Sequence, residues 1–210
     1  MTRLVLASTS PARLSLLRSG GIEPITISPG VDEEAVGARA EAMGLIGSAA
    51  DLVLVLAKAK AEAVVNHPDA KNAIIIGCDS ALEFDGKTLG KPHEPEIAAA
   101  RWRELRGNSG TLHSGHWLID NRNGGSMPPA TGKTSSTVVH FANLTDAEIE
   151  TYVATGEPLK VAGAFTIDSL GGAFITRIEG DTHTVIGLSL PTLRDLAQVL
   201  GVEYTSFWNR

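Results

Sequence analysis

Residues 4–17 read LVLASTSPARLSLL, and the fold class follows from how this stretch changes character midway. Leu4 to Ala7 is short, apolar and uncharged, the pattern of a strand buried on both faces. Ser8, Thr9 and Ser10 follow at once, then Pro11, then Leu14, Leu16 and Leu17 at helical spacing. Ser10 suits an N-cap and Pro11 the first helical position. Gly20 and Gly21 stop the helix. A strand that passes directly into a helix is a building unit of an α/β fold.

The rest of the chain extends that pattern. Ile22 to Ile27 reads as a second strand, and Ser28 to Glu34 as a loop carrying Asp32, Glu33 and Glu34. Ser48 to Asn66 is a long Ala-rich helix that Pro68 ends. Ala73 to Cys78 (AIIIGC) is a fully apolar strand with Asp79 at its C-terminal end. Asp85-Gly86 marks a hairpin turn, and Pro95 to Leu105 a helix. Leu112 to Ile119 and Ser135 to Phe141 read as strands joined by the polar, Gly-rich stretch Asp120 to Ser126. Thr145-Asp146-Ala147-Glu148 is a capping box that opens a helix to about Thr155. Ala164 to Ile167 and Ala173 to Ile178 are further strands, and Pro191 to Leu200 a final helix. Hairpins among the helices predict α/β with a mixed sheet, not a strictly alternating doubly wound fold. The expectation is one domain over residues 1–210.

Composition narrows the partners. A chain of 210 residues with 43% apolar side chains can bury a core unaided. Its 18 cations and 24 carboxylates leave a net charge of −6, which argues against a nucleic-acid partner, because phosphate backbones favour a basic face. A small polyanion needs only a few local cations. The apolar run Leu52 to Ala57 falls far short of the roughly 20 residues that cross a bilayer, so no membrane partner is expected. The N-terminal apolar stretch is too short for a signal peptide, and the one cysteine, Cys78, permits no internal disulfide. A cytoplasmic location is expected.

Several residues could carry chemistry. A helix N-terminus offers unpaired N–H groups and partial positive charge, so Ser8-Thr9-Ser10-Pro11 opening a helix suits a phosphate, with Arg13 within reach. Alone, the stretch reads better as a plain capped helix with a surface arginine. Asp79 at a strand's C-terminal end lies where ligands of open α/β sheets bind; it could hold Mg²⁺ or accept a proton from water, or merely start a turn. Asp32, Glu33 and Glu34 offer more carboxylates for a hard cation, or form a solvated acidic turn. Lys91, fixed between Gly90 and Pro92, and the helical Lys58 and Lys60 could hold phosphate, or be solvated. His113 and His116 lack the spacing of a helical zinc pair and face opposite sides of a strand. Cys78, in an apolar strand without an adjacent base, reads as an inert core thiol.

In order along the chain, these pieces resemble one family. Leu6-Ala7-Ser8-Thr9-Ser10-Pro11-Ala12-Arg13, Asp32-Glu33, Leu56-Ala57-Lys58-Ala59-Lys60-Ala61, Gly77-Cys78-Asp79-Ser80 and Gly90-Lys91-Pro92 are similar to motifs of the Maf-like nucleoside triphosphate pyrophosphatases. Gly156-Glu157-Pro158, Ala162-Gly163-Ala164-Phe165, Ile178-Glu179-Gly180 and Val185-Ile186-Gly187-Leu188 extend the likeness over nearly the whole chain.

The resemblance implies an elongated mixed sheet flanked by helices, in two lobes with a central cleft, and a homodimer. It implies hydrolysis of a nucleoside triphosphate to the monophosphate and pyrophosphate, assisted by a divalent cation (Mg²⁺, Mn²⁺ or Co²⁺). By position, Asp79 would be the catalytic base, and Glu33 and Asp79 the metal ligands. Ser10, Arg13, Lys60 and Lys91 would hold the phosphates, and Ala12, Ser80 and Asp168 would set base preference. Ala12 replaces an arginine usual in the family, Lys160-Val161 an Asp-Lys pair, and Asp168 a glutamine. These departures leave the preferred base open and support an alternative, a non-catalytic nucleotide-binding regulator of cell division. A scaffold protein, the third reading, would leave the cations without a job.

Overall fold

The structure, a computed structural model, describes residues 1–209. The expected α/β class holds, with helices flanking a mixed seven-stranded sheet. The strands are β1 (Arg3–Ala7), β2 (Ile25–Ile27), β3 (Ala73–Phe84), β4 (Lys87–Leu89), β5 (Ser109–Asp120), β6 (Ala130–Phe141) and β7 (Ile175–Glu179). Their order is β2-β1-β3-β5-β6-β7, with β4 on β3. β1 runs parallel to β2 and β3, while β4 is antiparallel to β3 and β7 to β6. The helices are α1 (Pro11–Ser19), α2 (Glu33–Ala42), α3 (Ala49–Ala63), α4 (Pro95–Leu105), α5 (Asp146–Ala154), α6 (Thr182–Ile186) and α7 (Leu190–Val199).

The chain forms two compact units. The first holds Met1–Asp79, Ser114–Ser135 and the residues from Gly187 onward; the second holds Ser80–His113 and Ser136–Ile186. Strands β3, β5 and β6 each contribute residues to both. In the first unit, Val5, Ala7, Ile75 and Ile119 from the strands pack with Ala61 and Val64 of α3. Two glycines bring α3 down onto the sheet. A Cβ at Gly77 would strike the Ala57 carbonyl and one at Gly115 the Val53 carbonyl, both in the α3 backbone.

The second unit is built around Trp102 of α4. Its ring meets Phe141, Tyr152 and Phe174 edge-on at centroid distances of 5.6, 5.6 and 5.9 Å. Its indole N–H donates to the Ala164 carbonyl at 2.7 Å, satisfying the one polar atom that a buried tryptophan carries.

Several elements depart from the sequence reading. The loop expected over Ser28 to Glu34 ends in a helix: Asp32 accepts the Ala35 N–H at 3.0 Å and caps α2. This helix buries only Ala40, so it carries almost no apolar periodicity to read. β3 does not end at Cys78 but runs on to Phe84, so Asp79 lies within the strand. Its parallel pairing with β1 does end nearby, at Ala7 opposite Gly77. Ala164 to Ile167 is not a strand, because Gly163 and Ala164 both take left-handed backbone, φ 72° and 64°, and the chain turns there. β2 is only three residues long. The capping box at Thr145 and the α4 boundaries are as expected.

Candidate active site

Within the first unit, α1 begins beside the end of the parallel pairing. Ser10 Oγ accepts the Arg13 N–H at 3.4 Å, and Ser8 Oγ accepts the Ser10 N–H at 3.1 Å. The Ser8 and Ser10 hydroxyls thus take two N–H groups of the helix's opening turn.

Arg13 is not on the surface. Its side chain is buried and its guanidinium donates to three acceptors: Nε to the Gly187 carbonyl (2.8 Å), and one terminal nitrogen to the Cys78 carbonyl (2.9 Å) and Ser8 Oγ (3.3 Å). A planar fork of fixed donors suits this task. Arg13 therefore ties α1 to β3 one residue before Asp79 and to the chain at Gly187.

Lys60, in the last turn of α3, joins two carboxylates from different elements. Its Nζ lies 2.5 Å from Asp79 Oδ1 and 2.8 Å from Glu33 Oε1. Lys60 is buried, the Asp79 side chain is 13% exposed, and that of Glu33 is 47% exposed. Glu33 reaches this point from the first residue of α2, which the Asp32 cap fixes. Burial raises the Asp79 carboxyl above its ordinary pKa, Lys60 and Arg13 draw it back, and Glu33 adds to the rise. Burial likewise pushes the Cys78 thiol to about 12 against the pull of Arg13 and Lys60, so this thiol is neutral and unreactive at pH 7.

The structure thus brings Arg13, Glu33, Lys60 and Asp79 into one connected cluster, with Ser10 at its helix start. Half-buried Ala12 follows Pro11 in α1. Ser80, Lys91 and Asp168 belong to the second unit. Ser80 is half-buried in β3. Lys91 is exposed on a loop held at its neighbours: the Gly90 carbonyl accepts from Arg101 at 2.6 Å and from the Gly163 N–H at 3.2 Å.

Asp168 is exposed on a segment fixed by a residue that sequence reasoning missed. The Glu157 carboxylate accepts from Thr166 Oγ1 (2.5 Å), Tyr152 Oη (2.9 Å) and the N–H groups of Gly171 (2.9 Å) and Leu170 (3.2 Å). Burial pushes its carboxyl up, but the bonds from Thr166, Gly171, Ser169 and Tyr152 outweigh it and hold the pKa at about 2. The Gly156-Glu157-Pro158 match was the available signal, and it carried no hint of this job.

His113 and His116, the strand histidines, are bound into local networks. His113 Nδ1 lies 2.8 Å from Ser136 Oγ, and His116 Nε2 accepts the Ser189 N–H at 2.7 Å.

A family model described as "Maf-like protein" matches residues 3–200. The chain belongs to the Maf-like family. A relative from Leifsonia xyli is 57% identical over 210 residues, covering 99% of this chain and 97% of its own. One from Streptomyces coelicolor is 50% identical over 206 residues, covering 98% and 94%, and one from Cutibacterium acnes is 49% identical over 214, covering 99% and 95%. All three relatives carry the name "Nucleoside triphosphate pyrophosphatase". No helix among the described residues of this Maf-like chain is long and apolar enough to cross a membrane.

Proposed function

We propose that this chain hydrolyses nucleoside and deoxynucleoside triphosphates, modified ones included, to the monophosphate and pyrophosphate. It is thus a hydrolase acting on an acid anhydride. The observation that carries the reading is Lys60 joining Glu33 and Asp79 beside the start of α1, in a chain whose close relatives bear the pyrophosphatase name.

In this reading Asp79 accepts a proton from water as the water oxygen bonds to the α-phosphorus and pyrophosphate leaves. A base works best with a pKa near the working pH, and burial moves Asp79 in that direction while Lys60 and Arg13 favour its ionised form. Ser10 and Lys60 hold phosphate oxygens. Arg13 adds positive charge and keeps α1 and β3 in register. Placement and charge are what phosphoryl transfer chiefly needs.

Glu33 and Asp79 fit a hard divalent cation (Mg²⁺, Mn²⁺ or Co²⁺). Both are oxygen donors converging on one point, and such ions commonly take one or two carboxylates, completing their shell with substrate phosphates and water. Bound there, the ion offsets phosphate charge and lowers the pKa of water. Lys91 for phosphate, and Ala12, Ser80 and Asp168 for the base, keep the roles that the family resemblance implies. A homodimer belongs to the same proposal, and sedimentation velocity tests it.

The test is a panel of normal and modified triphosphates with Mg²⁺ or Mn²⁺, scored for pyrophosphate. At least one member is hydrolysed. Nucleotide binding by calorimetry with no release from any member supports the non-catalytic regulator instead.

A further inference from the structure

Lys60 stands where a cation serving both Glu33 and Asp79 would exert its charge. Its ammonium reaches both carboxylates, at 2.8 and 2.5 Å, from a side chain 8% exposed. Its helix is seated on the sheet at Gly77 and Gly115. Among the described residues, no group of three or more His, Cys, Asp or Glu side chains gathers anywhere to hold a metal. At this point an incoming divalent ion would meet two carboxylates already partly neutralised by Lys60, fewer than the six oxygens such an ion prefers.

We propose that Lys60 is a built-in counter-ion that makes divalent-cation binding depend on the substrate's phosphates. Without nucleotide, Lys60 holds the carboxylate pair together and weakens the site for the ion. A triphosphate gives the ammonium new acceptors and gives the ion the missing oxygens, so ion and triphosphate bind with positive, reciprocal coupling. Glu33 and Asp79 would remain a matched pair in the empty enzyme instead of repelling each other. This inference rests on the reading of Glu33 and Asp79 as the ion's holders, and Lys60 passes from the carboxylates to the substrate's phosphates.

The test is a Mn²⁺ titration followed by electron paramagnetic resonance, without nucleotide, on wild type and Lys60→Met. The variant is expected to bind one Mn²⁺ about ten times more tightly than wild type, and adding Glu33→Gln to it should remove the gain. Unchanged or weaker binding by folded Lys60→Met overturns the proposal. Should Lys60→Met fail to fold by circular dichroism, wild type decides. A non-hydrolysable α,β-methylene triphosphate should then raise its Mn²⁺ affinity about tenfold, after correction for ion taken by the analogue itself; no change overturns the proposal. Coupled binding without any pyrophosphate release would instead reject the hydrolase reading and leave this one standing.

Discussion

Lys60 of α3 and Asp79 of β3 lie 2.5 Å apart, nitrogen to oxygen, although neither is exposed enough to be well solvated. Removing one partner of such a pair leaves an uncompensated charge in a poorly hydrated place. The contact depends on how closely α3 can approach the sheet, and that in turn depends on two residues without side chains, Gly77 and Gly115, of which Gly77 lies two residues before Asp79.

Gly77→Ala should test that dependence. The added methyl has nowhere to go, because what it meets is the α3 backbone at Ala57 and Ala61. Overpacking of this kind costs about 1–3 kcal/mol, with each kcal/mol lowering Tm by roughly 2–4 °C in a chain of this length. Differential scanning calorimetry reads the loss. Hydrolysis should fall by more than the stability change explains, because Lys60 moves away from Asp79. An unshifted Tm would mean that α3 is not seated as described.

Arg13→Lys should behave as a damaging change although charge is kept. One ammonium cannot serve the Gly187 carbonyl, the Cys78 carbonyl and Ser8 Oγ in their present directions. Each buried acceptor left unpaired costs about 1–3 kcal/mol. Urea unfolding of the variant should show a clearly lower midpoint. A midpoint equal to wild type would show that the three bonds contribute nothing.

Glu157 predicts a pH dependence with a definite sign. Its carboxyl is held at about 2 in the folded chain against an ordinary value of 4.5. A group whose folded pKa is depressed adds stability that is fully present above its unfolded pKa. That contribution should fade as pH falls from about 4.5 towards 2. Glu157→Gln should lose stability at pH 7 and show a flatter decline over that acid window. Parallel decline of the two proteins would remove Glu157 from this role.

Much of this was legible in the chain itself. The strand–hydroxyl–helix start, the α3 and α4 helices, the Asp85-Gly86 turn and the Thr145 box all rest on local chemistry, namely caps, prolines and apolar spacing, and each lies within a few residues of its expected place. What depended on distant partners was not legible. α2 is capped by Asp32 but buries almost nothing. The left-handed Ala164 has the Trp102 indole bonded to its carbonyl from 62 residues away. The site was readable as residue types, with Asp79, Glu33, Lys60 and Arg13 each singled out. Their gathering followed only from the family resemblance, and the bridge that Lys60 makes between the two carboxylates did not, because it leaves no trace in spacing along the chain. The burial of Arg13 was not legible either, because two of its three acceptors, the Gly187 and Cys78 carbonyls, are backbone atoms remote in sequence.

The proposed hydrolysis stands or falls with the cluster around Asp79. Pyrophosphate release by wild type and Asp79→Asn, measured side by side on the best substrate of the panel, tests it most directly. Asparagine keeps the shape but cannot accept the proton, and the loss should be about 100- to 1000-fold, the scale seen when one key polar group is removed from a reaction centre. Asp79→Asn that is folded by circular dichroism and turns over at the wild-type rate would show that Asp79 is not the base.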